Sequence, residues 1–156
     1  MKSNLRIIPQ GWLSWDFQVL EGGVELAVID KSWLRERGTF TIDGKTYTFA
    51  RTSVLRGTFT LEHDGKILAE AVKPSPFFRS FEITANGDRY SLRAVSPFRR
   101  KFLLLRRESV LGEIEPLSLF GREATARLPQ EMQKPLQLFV VFLVLVLWRR
   151  SRRNNS

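Results

Sequence analysis

The feature that most constrains this chain is an apolar segment near its end, LQLFVVFLVLVLWRRSRR, which occupies residues 136–153. Residues 138–148 carry only aliphatic or aromatic side chains, and four arginines follow within the next five positions. Pro135 suits the first residue of a helix, and no further Gly or Pro follows up to residue 150, so we predict a helix over about 135–150. Because this helix has no polar face, it must be enclosed on every side.

The apolar segment is short for a membrane span. A helix that crosses a bilayer needs about 20 mostly apolar residues to cover about 30 Å of hydrocarbon. Residues 136–148 cover only roughly 20 Å at about 1.5 Å per residue. Burial inside the protein is therefore the leading interpretation, and a C-terminal tail anchor stays open as an alternative.

Upstream of this segment, the sequence is typical of successive β-hairpins. Gly22, Gly44, Gly65 and Gly87 are separated by 22, 21 and 22 residues. The Asp-Gly and Asn-Gly pairs among these sites suit type I′ turns, whose two central residues both have positive φ. Apolar and polar residues alternate around the turns, as in strands with one buried face. The pattern predicts twelve strands, at residues 4–8, 13–20, 24–31, 36–43, 45–52, 55–62, 66–73, 79–85, 88–95, 100–107, 110–116 and 121–127.

Twelve strands can supply the enclosure that the apolar helix needs. Eight-stranded barrels are filled by their own side chains, whereas an eleven-stranded can accommodates a central helix. We therefore predict an all-β fold with one helix, in which a closed twelve-stranded antiparallel β-barrel encloses a C-terminal hydrophobic α-helix. The barrel is expected to form a single domain over residues 1–150, followed by a disordered basic tail at 151–156.

This architecture resembles the tubby C-terminal-like superfamily, which includes tubby proteins, phospholipid scramblases and LURP-one-related proteins. Residues 111–148, LGEIEPLSLFGREATARLPQEMQKPLQLFVVFLVLVLW, are similar to the end of small, mostly uncharacterised members. In those members a final strand leads through a proline-bearing link into a buried helix. The resemblance implies a helix threading the barrel and an association with lipid, because tubby proteins bind phosphoinositides and scramblases are associated with lipids. No lipid-site residue of the family is carried over.

The charge distribution indicates an anionic partner. The formal net charge is +9, and residues 99–156 hold 12 Lys and Arg against 5 Asp and Glu. Clustered cations attract anionic lipid or nucleic acid. The predicted anion-binding residues are Arg99, Arg100, Lys101, Arg106, Arg107, Arg149, Arg150, Arg152 and Arg153. Favourable placement of cations at a helix C-terminus is the alternative explanation for the last four.

The leading functional hypothesis is a monomeric, non-enzymatic interaction module, cytoplasmic and peripheral at anionic phospholipid surfaces. A tail-anchored membrane protein and a nucleic-acid-binding barrel are the alternatives, and no protein partner is indicated. Phe77, Phe78 and Phe98 alternate with basic residues and could enter headgroups or stack on bases. The preferred interpretation is that they cap the ends of the barrel.

Residues that could support catalysis are few. The chain has no cysteine, which excludes disulfides and thiolate sites. His63, the only histidine, falls in a predicted turn with no second histidine to complete a metal site. Glu113 and Glu115 would share one strand face, as barrel exteriors commonly show. We expect no catalytic residue, no metal and no cofactor.

Overall fold

The computed structural model describes residues 1–11, 14–53, 57–118 and 121–154. Within them lie twelve strands, the number predicted, a 3₁₀ helix at Lys31–Arg35 and a C-terminal α-helix. Residues 13, 55 and 56, with which the predicted strands 13–20 and 55–62 begin, lie outside the described residues. The strands are β1 (Lys2–Pro9), β2 (Phe17–Glu21), β3 (Val24–Ile29), β4 (Arg37–Ile42), β5 (Lys45–Ser53), β6 (Thr58–His63), β7 (Lys66–Val72), β8 (Ser80–Ala85), β9 (Asp88–Ala94), β10 (Phe102–Arg106), β11 (Ser109–Pro116) and β12 (Ala124–Pro129). The α-helix, α1, spans Lys134–Asn154.

The strands form one antiparallel sheet that curls into a nearly closed barrel. The strand order is β3-β2-β1-β12-β11-β10-β9-β8-β7-β6-β5-β4, so β1 pairs with β12 across the sheet. In the described part of the chain, no hydrogen-bonded ladder joins β3 to β4. The predicted complete closure was therefore slightly too strong. These two strands are joined by the 3₁₀ helix, and a long connection does not fix strand register as a two-residue turn does.

The glycine turns have the backbone conformation that the sequence predicts. Asp43 and Gly44 have φ of 50° and 75°, and the Asp64-Gly65 and Asn86-Gly87 pairs are nearly identical to them. The β10–β11 turn uses Arg107 and Glu108, with φ of 48° and 66°, although neither is a glycine. The predicted strands 100–107 and 110–116 place a connection here, but its residues carry no turn signature, so the two positive φ values were not predicted.

The two-residue turns of the described chain lie at one end of the barrel, because strands alternate in direction. We call this the turn end; it contains the turns 22–23, 43–44, 64–65, 86–87 and 107–108, and the start of α1. The opposite end, the loop end, contains the longer connections and the C-terminus of α1. Its connections include residues 10–16, 30–36, 73–79, 95–101 and 117–123, as far as the structure describes them.

Helix α1 lies inside the barrel, as predicted, and residues 137–148 are all buried. Phe142 stacks on Phe49 with 3.8 Å between ring centroids and meets Phe59 edge-on at 5.7 Å. Among the described residues, no helix is both long enough and apolar enough to cross a membrane.

The helix is longer than predicted. It continues to Asn154, so residues 151–154 are helical where a disordered tail was expected. Arginine is a good helix former, and Arg152 and Arg153 in the last turn interact favourably with the helix dipole. Residues 155 and 156 of the predicted tail lie outside the described residues.

Polar contacts fix the start of α1 at the turn end. Gln137, which interrupts the aliphatic and aromatic residues at 136–148, is fully buried, and its Nε2 donates to the carbonyl oxygens of Pro129 at 3.0 Å and Met132 at 2.9 Å. Lys134 forms an ion pair with Glu21. These contacts tie the link after β12 to the first turn of the helix.

Candidate functional site

The loop end is strongly basic. Residues 73–79, 95–101 and 149–153 together hold nine Lys and Arg and no Asp or Glu. The five tight turns at the opposite end hold three acidic residues and one basic residue, Arg107. The barrel therefore has a positive pole at the loop end.

The structure brings together two predicted cationic clusters that are about fifty residues apart in sequence. Arg99, Arg100 and Lys101 precede β10, and the arginines of residues 149–153 end α1, so both clusters lie at the loop end. Trp148 connects them, because its Nε1 donates to the carbonyl oxygen of Arg100 at 2.8 Å. The Arg100 guanidinium also lies over the Trp148 ring, 5.0 Å from its centroid.

Arg106 and Arg107, predicted as part of the same basic rim, lie at the turn end. Strand β10 spans the height of the barrel between them and residues 99–101. Arg106 is 3.1 Å from the Asp88 carboxylate and lies over the Tyr90 ring. Arg107 is exposed in the tight turn. The structure thus separates these two residues from the cluster at the loop end.

A narrow, open cleft lies at the loop end, beside the last buried turn of α1, and a water-sized molecule can reach about 20 Å³ within it. Its inner part is apolar and aromatic, and more exposed arginines stand around it. The lining residues are Trp15, Phe17, Trp33, Leu145, Trp148, Arg100, Arg122, Arg149 and Arg152. Sequence analysis missed Arg122 and the tryptophans as site residues, since no local motif marks them.

Three arginines around the cleft crowd one another. The Arg122 guanidinium is 4.9 Å from the Trp15 ring centroid, and that of Arg152 is 6.0 Å from the same centroid. Burial lowers the pKa of Arg100 and of Arg122, and the charge of Arg152 lowers both further. Arginine keeps its proton at neutral pH, so the repulsion persists. A bound anion would relieve it.

Other predicted cations are engaged in contacts within the protein. Arg150 pairs with Glu36, and Arg149 Nη1 donates to the carbonyl oxygen of Leu34 at 2.8 Å. Both contacts secure the end of α1 to the region of the 3₁₀ helix. The side chains of Arg99, Arg152 and Arg153 are exposed.

Lys101 lies on the barrel exterior between the two carboxylates noted in the sequence. Its Nζ is 2.9 Å from Glu113 and 3.8 Å from Glu115. The hydrogen bond from Lys101 holds the pKa of Glu113 below its ordinary value. The lysine thus balances the charge of this pair.

Three phenylalanines at the loop end are exposed, which shows that the prediction of barrel caps was wrong. The exposed fractions are 89% for Phe77, 69% for Phe78 and 97% for Phe98. The interior at this end is already filled, because Trp33 and Trp148 are buried there and their indole N–H groups are hydrogen-bonded. The phenylalanines consequently project outwards.

His63 lies at the turn end and makes local contacts. Its Nδ1 donates to the Thr46 carbonyl oxygen at 2.9 Å, and its ring centroid is 4.9 Å from that of Tyr47. In the parts of the chain that the structure covers, no group of three or more His, Asp or Glu side chains could hold a metal ion.

In comparisons with known proteins, no family model matches this chain, and neither does any curated protein or solved structure. The resemblance to the tubby-like superfamily therefore stays a prediction. What the fold defines is a twelve-stranded, nearly closed antiparallel barrel built around a C-terminal helix.

Proposed function

We propose that this protein is a non-enzymatic module that binds anionic phospholipid surfaces with its loop end. The observation that carries the proposal is the meeting of residues 99–101, residues 149–153 and Arg122 at one end of the barrel. Each Lys or Arg close to an anionic leaflet contributes about 1 kcal/mol to binding. The turn end carries acidic residues beside its cations, so the field of the protein turns the loop end towards a negative surface.

The arginines divide into two roles in this proposal. Arg99, Arg152 and Arg153, whose side chains are exposed, reach lipid phosphates at the surface. The guanidinium groups of Arg100 and Arg122, together with that of Arg152, bind one phosphate group at the mouth of the cleft, so Arg152 takes part in both roles. Guanidinium groups suit this task because their fork of donors matches two phosphate oxygens at once.

The two alternatives are less well supported by the geometry. A tail anchor would place residues 138–148 in lipid, whereas these residues fill the barrel. A nucleic acid would be attracted by the same charges, but nonspecific single-strand binding proteins use a groove that tracks the backbone. The most exposed aromatic residues here stand on projecting loops instead.

Charge reversal tests the proposal with a matched control. The first variant combines Arg99→Glu, Arg152→Glu and Arg153→Glu at the loop end. The control combines Lys45→Glu, Arg89→Glu and Arg107→Glu, which makes the same charge change on exposed residues at the turn end. Binding is measured by sedimentation with phosphatidylcholine vesicles that contain phosphatidylserine, and with vesicles that lack it.

We expect the loop-end variant to bind at least about a hundredfold more weakly, because three contributions of about 1 kcal/mol are lost. The control should retain most of its affinity, and salt should weaken all binding. Equal losses in both variants would show that net charge, and no particular face, attracts the lipid. Absence of binding by the unchanged protein at low salt would refute the proposal.

Two further measurements separate the alternatives. A high-salt or carbonate wash should release the protein from membranes, whereas a tail-anchored protein would stay in the pellet. Titration with single-stranded DNA or RNA should give weaker binding than the anionic vesicles. Tighter binding to nucleic acid would favour the nucleic-acid alternative.

A further inference from the structure

We propose that Phe77, Phe78 and Phe98 enter the boundary between the headgroups and the acyl chains, so that the protein selects loosely packed anionic bilayers. This inference rests on the proposed function and adds to it a depth of binding and a preference among membranes. It concerns two neighbouring connections at the loop end, residues 73–79 and 95–101, which flank the β8–β9 hairpin.

The two connections repeat one short motif, SPFFR at residues 75–79 and SPFRR at residues 96–100. In each, the serine Oγ accepts a hydrogen bond from the backbone N–H of the phenylalanine two positions later. The distances are 3.1 Å from Phe77 N to Ser75 Oγ and 3.3 Å from Phe98 N to Ser96 Oγ. Such local serine turns are a common way to fix a loop. The barrel thus presents phenylalanine twice with the same turn chemistry.

Two partly buried cations hold both connections in place. Arg79 Nη2 donates to the carbonyl oxygens of Ser96 and Arg99, both at 2.7 Å, and so links one connection to the other. Lys73 Nζ donates to the carbonyl oxygens of Ser75 and Phe78, again both at 2.7 Å. Because the loops are already ordered, little conformational entropy remains to be lost when they bind.

The exposure of the three rings indicates a partner outside the fold. Full burial of a phenylalanine is worth about 1.5–3 kcal/mol, and the folded chain leaves this contribution almost unused at Phe77 and Phe98. Grouped apolar residues within a polar rim mark interaction sites. Here the rim consists of cations, since residues 73–79 and 95–101 contain no acidic residue.

An anionic bilayer fits both the exposed phenylalanine rings and the cationic rim of this surface. Interfacial proteins bury aromatic and aliphatic side chains about 5–10 Å into the boundary while Lys and Arg stay among the phosphates. Short, bulky loop tips need gaps between headgroups, and such gaps are more frequent in curved or unsaturated bilayers. We therefore expect binding to depend on lipid packing at constant surface charge.

The absence of cysteine from the chain makes a depth measurement direct. Phe98→Cys, labelled with an environment-sensitive fluorophore, reports insertion at the loop end. Ile67→Cys, which is 57% exposed at the turn end, is the matched control. With phosphatidylserine vesicles, the label at position 98 should shift to the blue and be quenched by lipids with nitroxides on their acyl chains. The label at position 67 should show neither effect.

A second pair of variants measures the contribution of insertion. Phe77→Ser with Phe98→Ser should weaken vesicle binding at least about tenfold. Val24→Ser with Ile67→Ser, at exposed apolar positions of the turn end, should leave it unchanged. At equal phosphatidylserine content, the full chain should bind small, unsaturated vesicles more tightly than large, saturated ones.

The outcomes distinguish this inference from the proposed function. If the protein binds anionic vesicles but the label at position 98 stays in water, insertion is refuted and surface binding stands. Equal affinity for loosely and tightly packed vesicles would refute the packing preference. If no vesicle binds the unchanged protein, the proposed function fails first. A blue shift with nucleic acid but not with vesicles would assign the phenylalanines to base stacking.

Discussion

The turn end and the loop end of this barrel are built by the same twelve strands, yet they differ in almost every property. The turn end has two-residue connections in left-handed backbone conformations, and its acidic and basic residues are mixed. The loop end has longer connections, many cations and three exposed phenylalanines. One end fixes the register of the hairpins, which leaves the other end available for interaction. Placing binding residues on loops that a rigid scaffold supports is a general strategy of proteins.

The central helix helps the fold to tolerate the many cations at the loop end. Its C-terminus lies at the loop end, where the partial negative charge of the helix dipole offsets part of the repulsion among the arginines. Trp148 belongs both to this helix and to the arginine cleft. Substitutions along the helix therefore test how independent the two ends are.

The largest effect is expected for Trp148→Ala, because Trp148 contributes both to the stability of the fold and to the proposed binding surface. Trp148 is 7% exposed, so its truncation should lower the free energy of unfolding by about 3–5 kcal/mol. Vesicle affinity should fall as well, because Arg100 loses the ring on which it lies. Urea unfolding measures the loss of stability, and vesicle sedimentation measures the loss of affinity. Both losses should be smaller in the conservative variant Trp148→Phe. Unchanged vesicle affinity in the folded Ala variant would exclude the cleft from the binding surface.

A smaller effect is expected for Gln137→Ala at the turn end. The carbonyl oxygen of Met132 would lose the Gln137 donor in a buried region, whereas that of Pro129 keeps the backbone N–H of Met132. The free energy of unfolding should therefore fall by about 1–3 kcal/mol. Vesicle binding by the folded protein should not change. The same two assays apply under conditions where the variant stays folded. A parallel loss of vesicle affinity would show that the helix couples the two ends.

The smallest effect, and the only gain, is expected for Glu108→Gly. Glu108 has a φ of 66°, which costs an L-residue about 1–2 kcal/mol, whereas glycine adds about 0.5–1 kcal/mol of backbone entropy. The net gain should be roughly 0.5 kcal/mol, since the exposed contact with Arg93 contributes little. Thermal unfolding measures it, with Gly44→Ala as a control of opposite sign. A lower melting temperature for Glu108→Gly would contradict the strain at this turn.

Much of the fold could be predicted because its signals are local. Alternation and glycine turns define strands within a few residues, and the length of the apolar segment favours a helix inside the barrel. The missing β3–β4 ladder could not be predicted in this way, because the connection at residues 30–36, which contains the 3₁₀ helix, carries no local signal that sets how the two strands meet. The same limit applies to the turn at Arg107 and Glu108, where tertiary pairing imposes a conformation that the residues do not prefer.

The site residues also divide into those that the sequence reveals and those that it does not. Runs of cations at residues 99–101 and 149–153 are visible in the sequence, and the structure places both at one end. Arg122 stands alone in the sequence and reaches the cleft only because of the barrel geometry. The exposure of Phe98 depends on whether the barrel end is already filled, and two distant tryptophans fill it. No local pattern contains that information.

The pairing of β1 with β12 also sets the order in which this molecule can be assembled. Residue 2 lies opposite residue 129, and the helix that fills the interior comes later still in the chain. The hairpins from β4 to β11 can form between neighbouring strands, but their apolar inner faces stay exposed until α1 packs against them. Contacts between such distant segments form slowly, and uncovered strands aggregate in the meantime. Acquisition of the native core is therefore a late event that closes the barrel and buries the helix together.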